Sequence, residues 1–401
     1  MASAPRRAPR TPSVTRGNNL DVVRRHNLSV VLTLVHSHGS ASRAELTRAT
    51  GLNRSTVAAL VAELVQLGYV KETEPDATNQ VGRPSLIIEP SDRLVAITVY
   101  PELDGVTIGL VGLGHRVLRR VRHDNVRVPT AREVVNIVSA VVAGMRSELD
   151  AGFTVAGIGL AVPGLVGVSD GVVSLAPHLD WHDEPIAEML GDATGYPVRA
   201  VNDASAGAIA ESRFGAGRGV DDMIYVNGGV TGIGGGIITG GSLLGGTSGF
   251  AGELGHTLVN SNGKLCHCGA RGCLETEVRR APLIEALGIT RADQLEAALR
   301  SEYDGTPSAA VAAVVDGQLT ALAIALSQFV NLFNPKLIVL GGFLGILFEV
   351  AGDRLTADIR SRAMIGSRDT VELARSTLGA DLLLIGAAEI ALADVLADPA
   401  G

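Results

Sequence analysis

The chain has 401 residues, of which 46% are hydrophobic and 19% charged, so it is long enough for two or three domains and is not disordered overall. Its three cysteines are too few for the disulfide framework of a small secreted fold. The net charge of −8 argues against a protein that coats nucleic acid over its whole surface.

The charge is unevenly distributed along the chain. Residues 1–90 carry 11 Lys and Arg against 7 Asp and Glu, whereas the remaining residues carry 23 against 35. We call residues 21–90 the head and residues 91–401 the body, and we expect residues 1–20 to be a disordered basic tail. A basic head on an acidic body indicates that the head meets an anion, while the body has another task.

No export signal or membrane span is predicted. The arginines of residues 1–20 stand among prolines, and the apolar run of a signal peptide does not follow them directly. The most apolar later stretch, residues 321–342, is interrupted by Asn331, Asn334, Pro335 and Lys336. We interpret it as a buried helix, a turn and a core strand. We therefore expect a cytoplasmic protein.

Periodic apolar residues predict three helices in the head. The first covers residues 26–38, and the second covers residues 42–50, which open with the capping-box sequence Ser-Arg-Ala-Glu. A third helix follows from about residue 53, after a short glycine turn. Its inward-facing residues are predicted to be Val57, Leu60, Val61, Leu64 and Leu67. Two short strands enclose a polar loop in this prediction, at residues 69–71 and 86–88.

This order of helix, helix, glycine turn, helix and β-loop is that of a winged helix-turn-helix. The third helix leaves a small, mostly polar face near its N-terminus, which can enter the major groove of DNA. The loop presents an extended Gly-Arg-Pro tripeptide that suits a minor groove. The predicted DNA contacts are Asn53, Arg54, Ser55, Thr56 and Arg83. The alternative is a plain three-helix packing module with a solvated tail.

The body alternates apolar runs with helical stretches, which favours a layered α/β fold. Strands are predicted at residues 94–99, 106–111, 156–162, 223–226, 236–239 and 337–340. Helices are predicted at residues 131–150, 184–194, 204–213, 276–287, 308–333, 350–362 and 384–396.

All three cysteines of the chain lie within eight residues, at Cys266, Cys268 and Cys273. A tetrahedral site needs a fourth ligand, and His256 lies ten residues upstream. Three thiolates and one imidazole predict a structural zinc site. His267 is a competing ligand, although it lies between two of the predicted ones. The alternative is a set of reduced, buried cysteines.

Two further signals in the body point to ligands. Residues 227–236 are rich in glycine, and their backbone N–H groups can approach an anion such as phosphate, although tight hairpins use the same composition. Separate polar motifs suit a polyhydroxylated ligand, because each carboxylate can accept two hydroxyl protons. Their residues are Asn202, Asp203, Glu253, His256 and Glu275. Each of these alone is more often a helix cap or a surface charge.

Six sequence motifs of the body occur together. They are Gly157–Gly164, Val201–Ala204, Thr231–Gly236, Gly252–His256, Cys266–Glu275 and Asn334–Gly342. With the head, they resemble the ROK family of repressors, open reading frames and sugar kinases over nearly the whole chain. The resemblance implies a winged helix-turn-helix followed by an α/β body with the actin-like, ribonuclease H-like fold of two-lobed sugar kinases. Lobe one would comprise about residues 91–203 with the C-terminal helix 384–398, and lobe two about residues 204–383.

The same resemblance implies roles for the polar residues named above. A sugar between the lobes would touch Asn202, Asp203, Glu253, His256 and Glu275, with Asp203 at the place where kinases keep their general base. Zinc would be held by His256, Cys266, Cys268 and Cys273. The metal would brace His256, so that its loss should also damage sugar binding.

One departure from the family concerns the phosphate loop of its kinases, a strand followed by Asp-x-Gly-Gly-Thr. Thr98 stands near the expected Asp, the Gly-Gly-Thr is absent, and Tyr100 and Pro101 replace small residues. Phosphoryl transfer depends on positioning and charge neutralisation, so this predicts loss of most of the kinase rate even though Asp203 remains. A smaller departure is His178, where Asn is usual, which could alter the choice of sugar.

We therefore predict a sugar-responsive transcriptional regulator, a repressor, whose body binds a monosaccharide or sugar derivative. Its head would bind double-stranded operator DNA, as a homodimer or a dimer of dimers. Sugar contacts that differ between open and closed lobes would change the spacing of two heads. Two alternatives remain open: an ATP-dependent sugar kinase that carries a DNA-binding head, with Asp203 catalytic, and a body that only dimerises the head.

Overall fold

The computed structural model describes residues 20–74 and 86–401. The elements of the head are α1 (Leu20–His38), β1 (Ala41–Ser42), α2 (Arg43–Thr50), α3 (Arg54–Gln66), β2 (Val70–Thr73) and β3 (Ile87–Pro90). The three strands form an antiparallel sheet in the order β1-β3-β2 beside the three helices. This is the predicted winged helix-turn-helix. The predicted DNA contact Arg83 and the tail up to residue 19 lie outside the described residues.

Side-chain caps set the helix boundaries of the head. The Ser42 hydroxyl accepts from the Glu45 N–H and the Glu45 carboxylate accepts from the Ser42 N–H, so the predicted capping box begins α2. Gly51 ends α2 in the left-handed conformation, with φ of 68°. Asn53 caps α3. The inward position predicted for Leu67 is wrong: its side chain is 37% exposed, because α3 ends one residue before it and the chain already turns there.

The first sheet of the body is five-stranded. Its strands and the elements between them are β4 (Leu94–Pro101), β5 (Gly105–Gly112), β6 (Arg116–Asp124), α4 (Ala131–Gly152), β7 (Thr154–Val162), β8 (Leu165–Val166), β9 (Val173–Ala176), β10 (Trp181–Glu184), α5 (Ile186–Thr194), β11 (Val198–Asn202) and α6 (Asp203–Phe214). The strand order is β11-β7-β4-β5-β6, with β7 parallel to both of its neighbours. Strands β8, β9 and β10 form a separate small sheet.

The second sheet of the body is also five-stranded. The elements of this part are β12 (Met223–Gly228), β13 (Ile233–Thr239), β14 (Ser242–Leu243), α7 (Leu274–Glu277), α8 (Arg280–Ala286), α9 (Leu295–Tyr303), α10 (Ala309–Phe333), β15 (Leu337–Gly341), α11 (Gly342–Arg362), α12 (Ser367–Thr370), β16 (Glu372–Arg375) and α13 (Leu382–Ala397). The strand order is β14-β13-β12-β15-β16. Two sheets with separate apolar cores are the two-lobed α/β architecture that the motifs implied.

The C-terminal helix α13 returns to the first sheet. Helices α4 and α5 cover one face of that sheet, and α6 and α13 cover the other. Strands β4 and β7 are therefore buried on both faces, which explains their nearly continuous apolar sequences. Helix α6, whose first residue is Asp203 of the motif Asn202-Asp203, lies against both α13 and the second sheet.

Helix α10 is long and apolar enough to span a membrane by length and composition. Its apolar residues pack with α11 and the second sheet in one core cluster. Asn334 ends the helix in the left-handed conformation, with φ of 46°, and β15 follows as a fully buried strand. The helix, turn and core strand predicted for this stretch are confirmed.

Two predicted helices of the body were wrong in detail, and some strands were missed. The helix predicted at residues 276–287 is divided into α7 and α8, because Pro282 lacks an N–H group and fits only the first turn of a helix. The helix predicted at residues 350–362 is the second half of α11, which is bent at Ala351. Strand β6 was missed because it is an exposed edge strand rich in arginine, without an apolar alternation.

Candidate functional site

A cleft of about 470 Å³ opens between the two sheets of the body. All five predicted sugar-binding residues line it: Asn202, Asp203, Glu253, His256 and Glu275. They come from β11, α6, a 3-10 turn and α7, and the most distant of them are 73 positions apart in the sequence. Apolar walls are supplied by Pro163, Leu165, Leu175 and Pro177. The cleft combines these walls with convergent polar groups, as small-molecule sites do.

The pair Asn202-Asp203 lies where strand β11 passes into helix α6. The Asn202 side chain caps the helix by accepting from the Ser205 N–H at 3.0 Å, and it donates to the Gly164 carbonyl at 3.0 Å. The Asp203 carboxylate accepts from the Ala204 N–H at 2.7 Å on the floor of the cleft. Asn202 therefore has a structural role, because its two hydrogen bonds hold the start of α6 and with it Asp203 in place.

The environment of Asp203 favours the protonated acid. Burial raises the pKa of this carboxyl to about 6, and the nearby Glu253 carboxylate acts in the same direction. Burial also raises the pKa of Glu253 itself. A carboxyl poised near neutrality can either donate to or accept from a sugar hydroxyl. Such a group is also suited to general-base chemistry, so its pKa by itself does not separate a sugar-binding site from a catalytic one.

The Cys–His cluster lies directly beside the cleft. One nitrogen of His256 and the sulfur atoms of Cys266, Cys268 and Cys273 all lie within 4.8 Å of one another. The separation is 3.5 Å from His256 Nδ1 to Cys266 Sγ, and 3.7 Å between the other two sulfurs. Ligands at about 2.0 to 2.3 Å from a tetrahedral ion are separated by roughly 3.5 to 3.8 Å. The four atoms can therefore hold one tetrahedral metal ion.

The second nitrogen of His256 faces the cleft. Its Nε2 lies 3.7 Å from a carboxylate oxygen of Glu253. A ligand bond at Nδ1 would fix the ring and its tautomer, with the Nε2 proton directed toward the cleft. The cluster and the predicted sugar residues thus share His256.

Sequence reasoning missed part of the cleft lining. His267 lines the cleft, and its Nδ1 lies 3.0 Å from Glu275 Oε1. It also packs edge-to-face on His178, with ring centroids 5.7 Å apart. Burial, followed by the effect of His267, lowers the pKa of His178, so its ring is neutral at pH 7. The departure at His178 was the one sequence signal for this wall, whereas nothing local marked the contact of His267 with Glu275.

The glycine-rich run at residues 227–236 forms a tight hairpin. Gly229 N–H donates to the Gly232 carbonyl at 2.9 Å, and the residues that follow continue as strand β13. A strand predicted at residues 236–239 therefore starts three residues earlier, at Ile233. The turn lines the cleft, and a Cβ at Gly232 would lie 2.5 Å from a Glu275 oxygen. The hairpin is observed, whereas anion binding by its backbone N–H groups stays a prediction.

A second cavity of about 570 Å³ meets the cleft at Asn227. Tyr100 lines it, and burial raises the pKa of this phenol, so it stays uncharged. Its three arginines are engaged in ion pairs: Arg120 with Asp381, Arg122 with Glu102 and Asp104, and Arg375 with Glu296 and Glu349. Thr98 is fully buried in β4 and lines neither cavity. The position of the missing phosphate loop thus offers no cation that lacks an acidic partner within the described residues.

Four of the five predicted DNA contacts lie at the N-terminal end of α3: Asn53, Arg54, Ser55 and Thr56. Arg54 and Ser55 are exposed there. The side-chain oxygen Oδ1 of Asn53 is occupied, because it accepts from the Thr56 N–H at 2.8 Å and from the Ser55 hydroxyl at 2.7 Å. Asn53 and Ser55 therefore stabilise the helix start, and Arg54 is the exposed cation that this end of α3 presents.

Sequence profiles match both parts of the chain. A profile of the ROK family matches residues 104–394, and a profile of the MarR family matches residues 27–79. The first match covers most of the body and the second most of the head.

Individual relatives include both regulators and kinases. A putative xylose repressor from Caldicellulosiruptor sp. (strain Rt8B.4) is 27% identical over 407 residues, with 95% of this chain and 99% of the relative covered. A glucokinase from Thermotoga maritima is 31% identical over 319 residues, with 75% of this chain and 98% of the relative covered. The crystal structure of a ROK family transcriptional regulator, a homologue of the E. coli MLC protein, superposes with a TM-score of 0.75 at 25% identity, covering 94% of this chain and 98% of that chain.

Proposed function

The chain belongs to the ROK family, and from this premise we propose that it is a sugar-responsive transcriptional regulator that acts as a repressor. One observation carries the proposal: a winged helix-turn-helix and a cleft lined by five convergent polar residues belong to one chain. The relative named as a xylose repressor is similar over 95% of the chain, head included.

We infer that the effector is an uncharged monosaccharide or sugar derivative. Asp203, Glu253 and Glu275 line the cleft, whereas no Lys or Arg does so among residues 20–74 and 86–401. Carboxylates accept from sugar hydroxyls, but they repel a phosphate that no cation neutralises. The apolar walls would cover the C–H faces of the ring.

We propose that the Cys–His cluster holds zinc. Three thiolates and an imidazole are a ligand set that zinc prefers for structural sites, and the four ligand atoms lie within 4.8 Å of one another. When bound, the metal would supply no chemistry of its own beyond holding its ligands. The protein residues do the rest: Nδ1 of His256 is committed to the cluster, so Nε2 keeps its proton and can donate it to a sugar oxygen or to Glu253.

We infer further that the body has lost sugar-kinase activity. Tyr100 lines the second cavity, Thr98 cannot reach it, and each of its arginines already neutralises an acidic side chain. Three or four phosphate charges would have to displace these ion pairs. The observation that favours the alternative, a kinase with a DNA-binding head, is Asp203, because it lines the cleft with a raised pKa.

We propose that the regulator binds its operator as a homodimer or a dimer of dimers in the cytoplasm. A single head offers one recognition helix, and two heads on one assembly raise the affinity by multivalency. Residues Arg54, Ser55 and Thr56 of α3 would approach the bases or the phosphates, with Asn53 holding the start of the helix. Arg83, which the sequence predicts to lie in a polar loop, would contribute a further contact.

The test combines sugar binding, DNA binding and turnover in one purified sample of the full chain. Thermal stability is measured across D-xylose, D-glucose, N-acetyl-D-glucosamine and their phosphates, since a ligand at 100 times its dissociation constant adds about 2.7 kcal/mol. A duplex that the protein selects from a random pool reports DNA binding. We expect an uncharged sugar to stabilise the protein and to change its affinity for the duplex, without ADP release. Brisk sugar phosphorylation, or no sugar response at all, contradicts the proposal.

A further inference from the structure

Helix α6 connects the cleft with the head through contacts at its two ends. Its first residue, Asp203, lies in the cleft, and Arg213 near its last turn lies about 15 Å further along the helix axis. Arg213 forms an ion pair with Glu389 of α13, and Glu389 Oε1 lies 2.9 Å from His36 Nε2 of α1. One continuous set of contacts therefore runs from the cleft carboxylate to the head.

The last contact of this set joins His36 to Glu389. It is fully buried, and its donor and acceptor can be assigned. The His36 and Glu389 side chains are 0% and 2% exposed. The Gly114 N–H donates to His36 Nδ1 at 3.0 Å, so the imidazole carries its proton on Nε2, which donates to Glu389. The carboxylate is thus held by one hydrogen bond from the head and one ion pair from α6. Moving one helix against the other would leave a buried charged oxygen without its partner, which is strongly unfavourable.

Helices α6 and α13 are in direct backbone contact and must move together. A Cβ on Gly386 would lie 2.1 Å from the Ala206 carbonyl oxygen, so only glycine allows this approach. Gly159 of β7 makes the same kind of approach to α13 from the sheet, where a Cβ would lie 1.8 Å from the Ala387 carbonyl oxygen. A displacement at the start of α6 must therefore displace α13 as well, because no space separates the two backbones.

Helix α13 also holds the head along the length of α1. The Ser29 hydroxyl donates to the Leu396 carbonyl at 2.7 Å, and Arg25 pairs with Asp398 at 3.0 Å. Apolar residues of both helices belong to one core cluster that crosses from the head into the body. The head therefore packs on α13, and the contacts between α1 and α13 set the orientation of the head relative to the body.

We propose that Glu389 is the positioning residue that couples the cleft to the head. A sugar that contacts Asp203 would shift α6 and α13 together, and the buried link from Arg213 through Glu389 to His36 would turn that shift into a new orientation of α1. This inference rests on the proposed function, because it presupposes a sugar in the cleft and DNA on the head. An apolar contact of the same size would hold α1 just as firmly, but it would allow α1 to slide along α13. The polar link instead fixes one position of α1 relative to α13.

The test compares two variants that break the link with one matched control. Glu389→Gln keeps the shape but removes the charge, and Arg213→Gln removes the partner on α6. Asp394→Asn is the control, because Asp394 lies on the same helix and pairs with Arg199 at 2.7 Å, but its side chain is 75% exposed and faces β11 instead of the head. Each full-length protein is titrated with the selected duplex, with and without D-xylose, D-glucose or N-acetyl-D-glucosamine, while calorimetry gives the sugar affinity.

We expect the effective sugar to change the DNA affinity of the wild type and of Asp394→Asn by about 5- to 150-fold, the usual range of allosteric coupling. For Glu389→Gln and Arg213→Gln this factor should fall below about 3-fold, while the sugar affinity without DNA stays within about 2-fold of wild type. A purely structural role of Glu389 would lower both affinities together and leave their coupling unchanged.

Three results are decisive against the inference. Wild-type coupling in both link variants overturns it and leaves the proposed function intact. Loss of sugar binding in the link variants, at equal helix content by circular dichroism, overturns it too. If no sugar changes the DNA affinity of the wild type, the proposed function itself fails. Should Glu389→Gln unfold, Arg213→Gln decides alone, because the Arg213 side chain is 42% exposed and can be replaced without opening the core.

Discussion

Replacing Asp203 by Asn should stabilise the ligand-free protein at neutral pH and abolish sugar binding. The cleft raises the pKa of Asp203 from 3.8 to about 6, so the folded protein keeps the protonated acid up to a higher pH than the unfolded chain does. Asn has the shape of that protonated acid at every pH, and it keeps the oxygen that accepts from the Ala204 N–H. It cannot accept hydroxyl protons on two oxygens as the carboxylate does, which is why sugar affinity should fall.

The sign and size of the effect follow from the two pKa values of Asp203. Below pH 3.8 the carboxyl is protonated whether the chain is folded or not, so the substitution should be neutral there. Between pH 3.8 and about 6 the unfolded chain ionises first, and the wild type loses stability as the pH rises through this window. The full shift would be worth about 3 kcal/mol, since one pKa unit is about 1.4 kcal/mol. Water in the half-open cleft screens the charge, so we expect about 1 to 2 kcal/mol at pH 7.5.

The assay is urea unfolding of the ligand-free protein at several pH values between 4 and 8. Asp203→Asn should exceed the wild type in stability at pH 7.5, and the difference should shrink toward pH 4. Asp192→Asn is the control, because Asp192 is exposed on α5 and outside the cleft. We expect ionisation of Asp203 to lower the free energy of unfolding. This expectation would be refuted if Asp203→Asn were less stable than the wild type at pH 7.5, or if its gain in stability did not vary with pH.

The other predictions concern the metal, the DNA face and the absence of turnover. Cys268→Ser should lose its zinc by atomic absorption and also bind sugar more weakly by calorimetry, because His256 would no longer be held; one zinc per chain in this variant would contradict the ligand assignment. Arg54→Ala should weaken binding to the selected duplex by about tenfold and lower its salt dependence by about one phosphate contact, with sugar affinity unchanged; an unaltered gel shift would count against α3. The wild type should release no ADP with any sugar of the panel, and turnover that disappears in Asp203→Ala would establish the kinase alternative.

Local sequence was sufficient wherever one helix or one turn decides the structure. The capping box at Ser42, the left-handed Gly51 and the Asn334 helix end were all readable, because each depends on residues within one turn. The cluster of three cysteines with His256 was also predictable, since its ligands span only 18 positions of the sequence. Pro282 is a local signal of the same kind, and the continuous helix predicted across it was wrong.

The contacts that organise the protein are between distant residues, and no local pattern announces them. His36 and Glu389 are 353 residues apart, and each looks like an ordinary helix residue in sequence. His267 contacts Glu275 and His178 because the loop of residues 266–273 folds back over the cleft. The position of this loop depends on the packing of β13 against the turn around Glu253.

The residue order alone therefore determined the helix ends, the winged head, the apolar strands and the family motifs, because these arise from periodicity and short-range hydrogen bonds. Tertiary packing decided that the glycine-rich run is a hairpin, that five polar residues share one cleft, and that α13 seats the head on the body. Such outcomes depend on which surfaces exclude water from one another, and that choice is made by the folded chain as a whole.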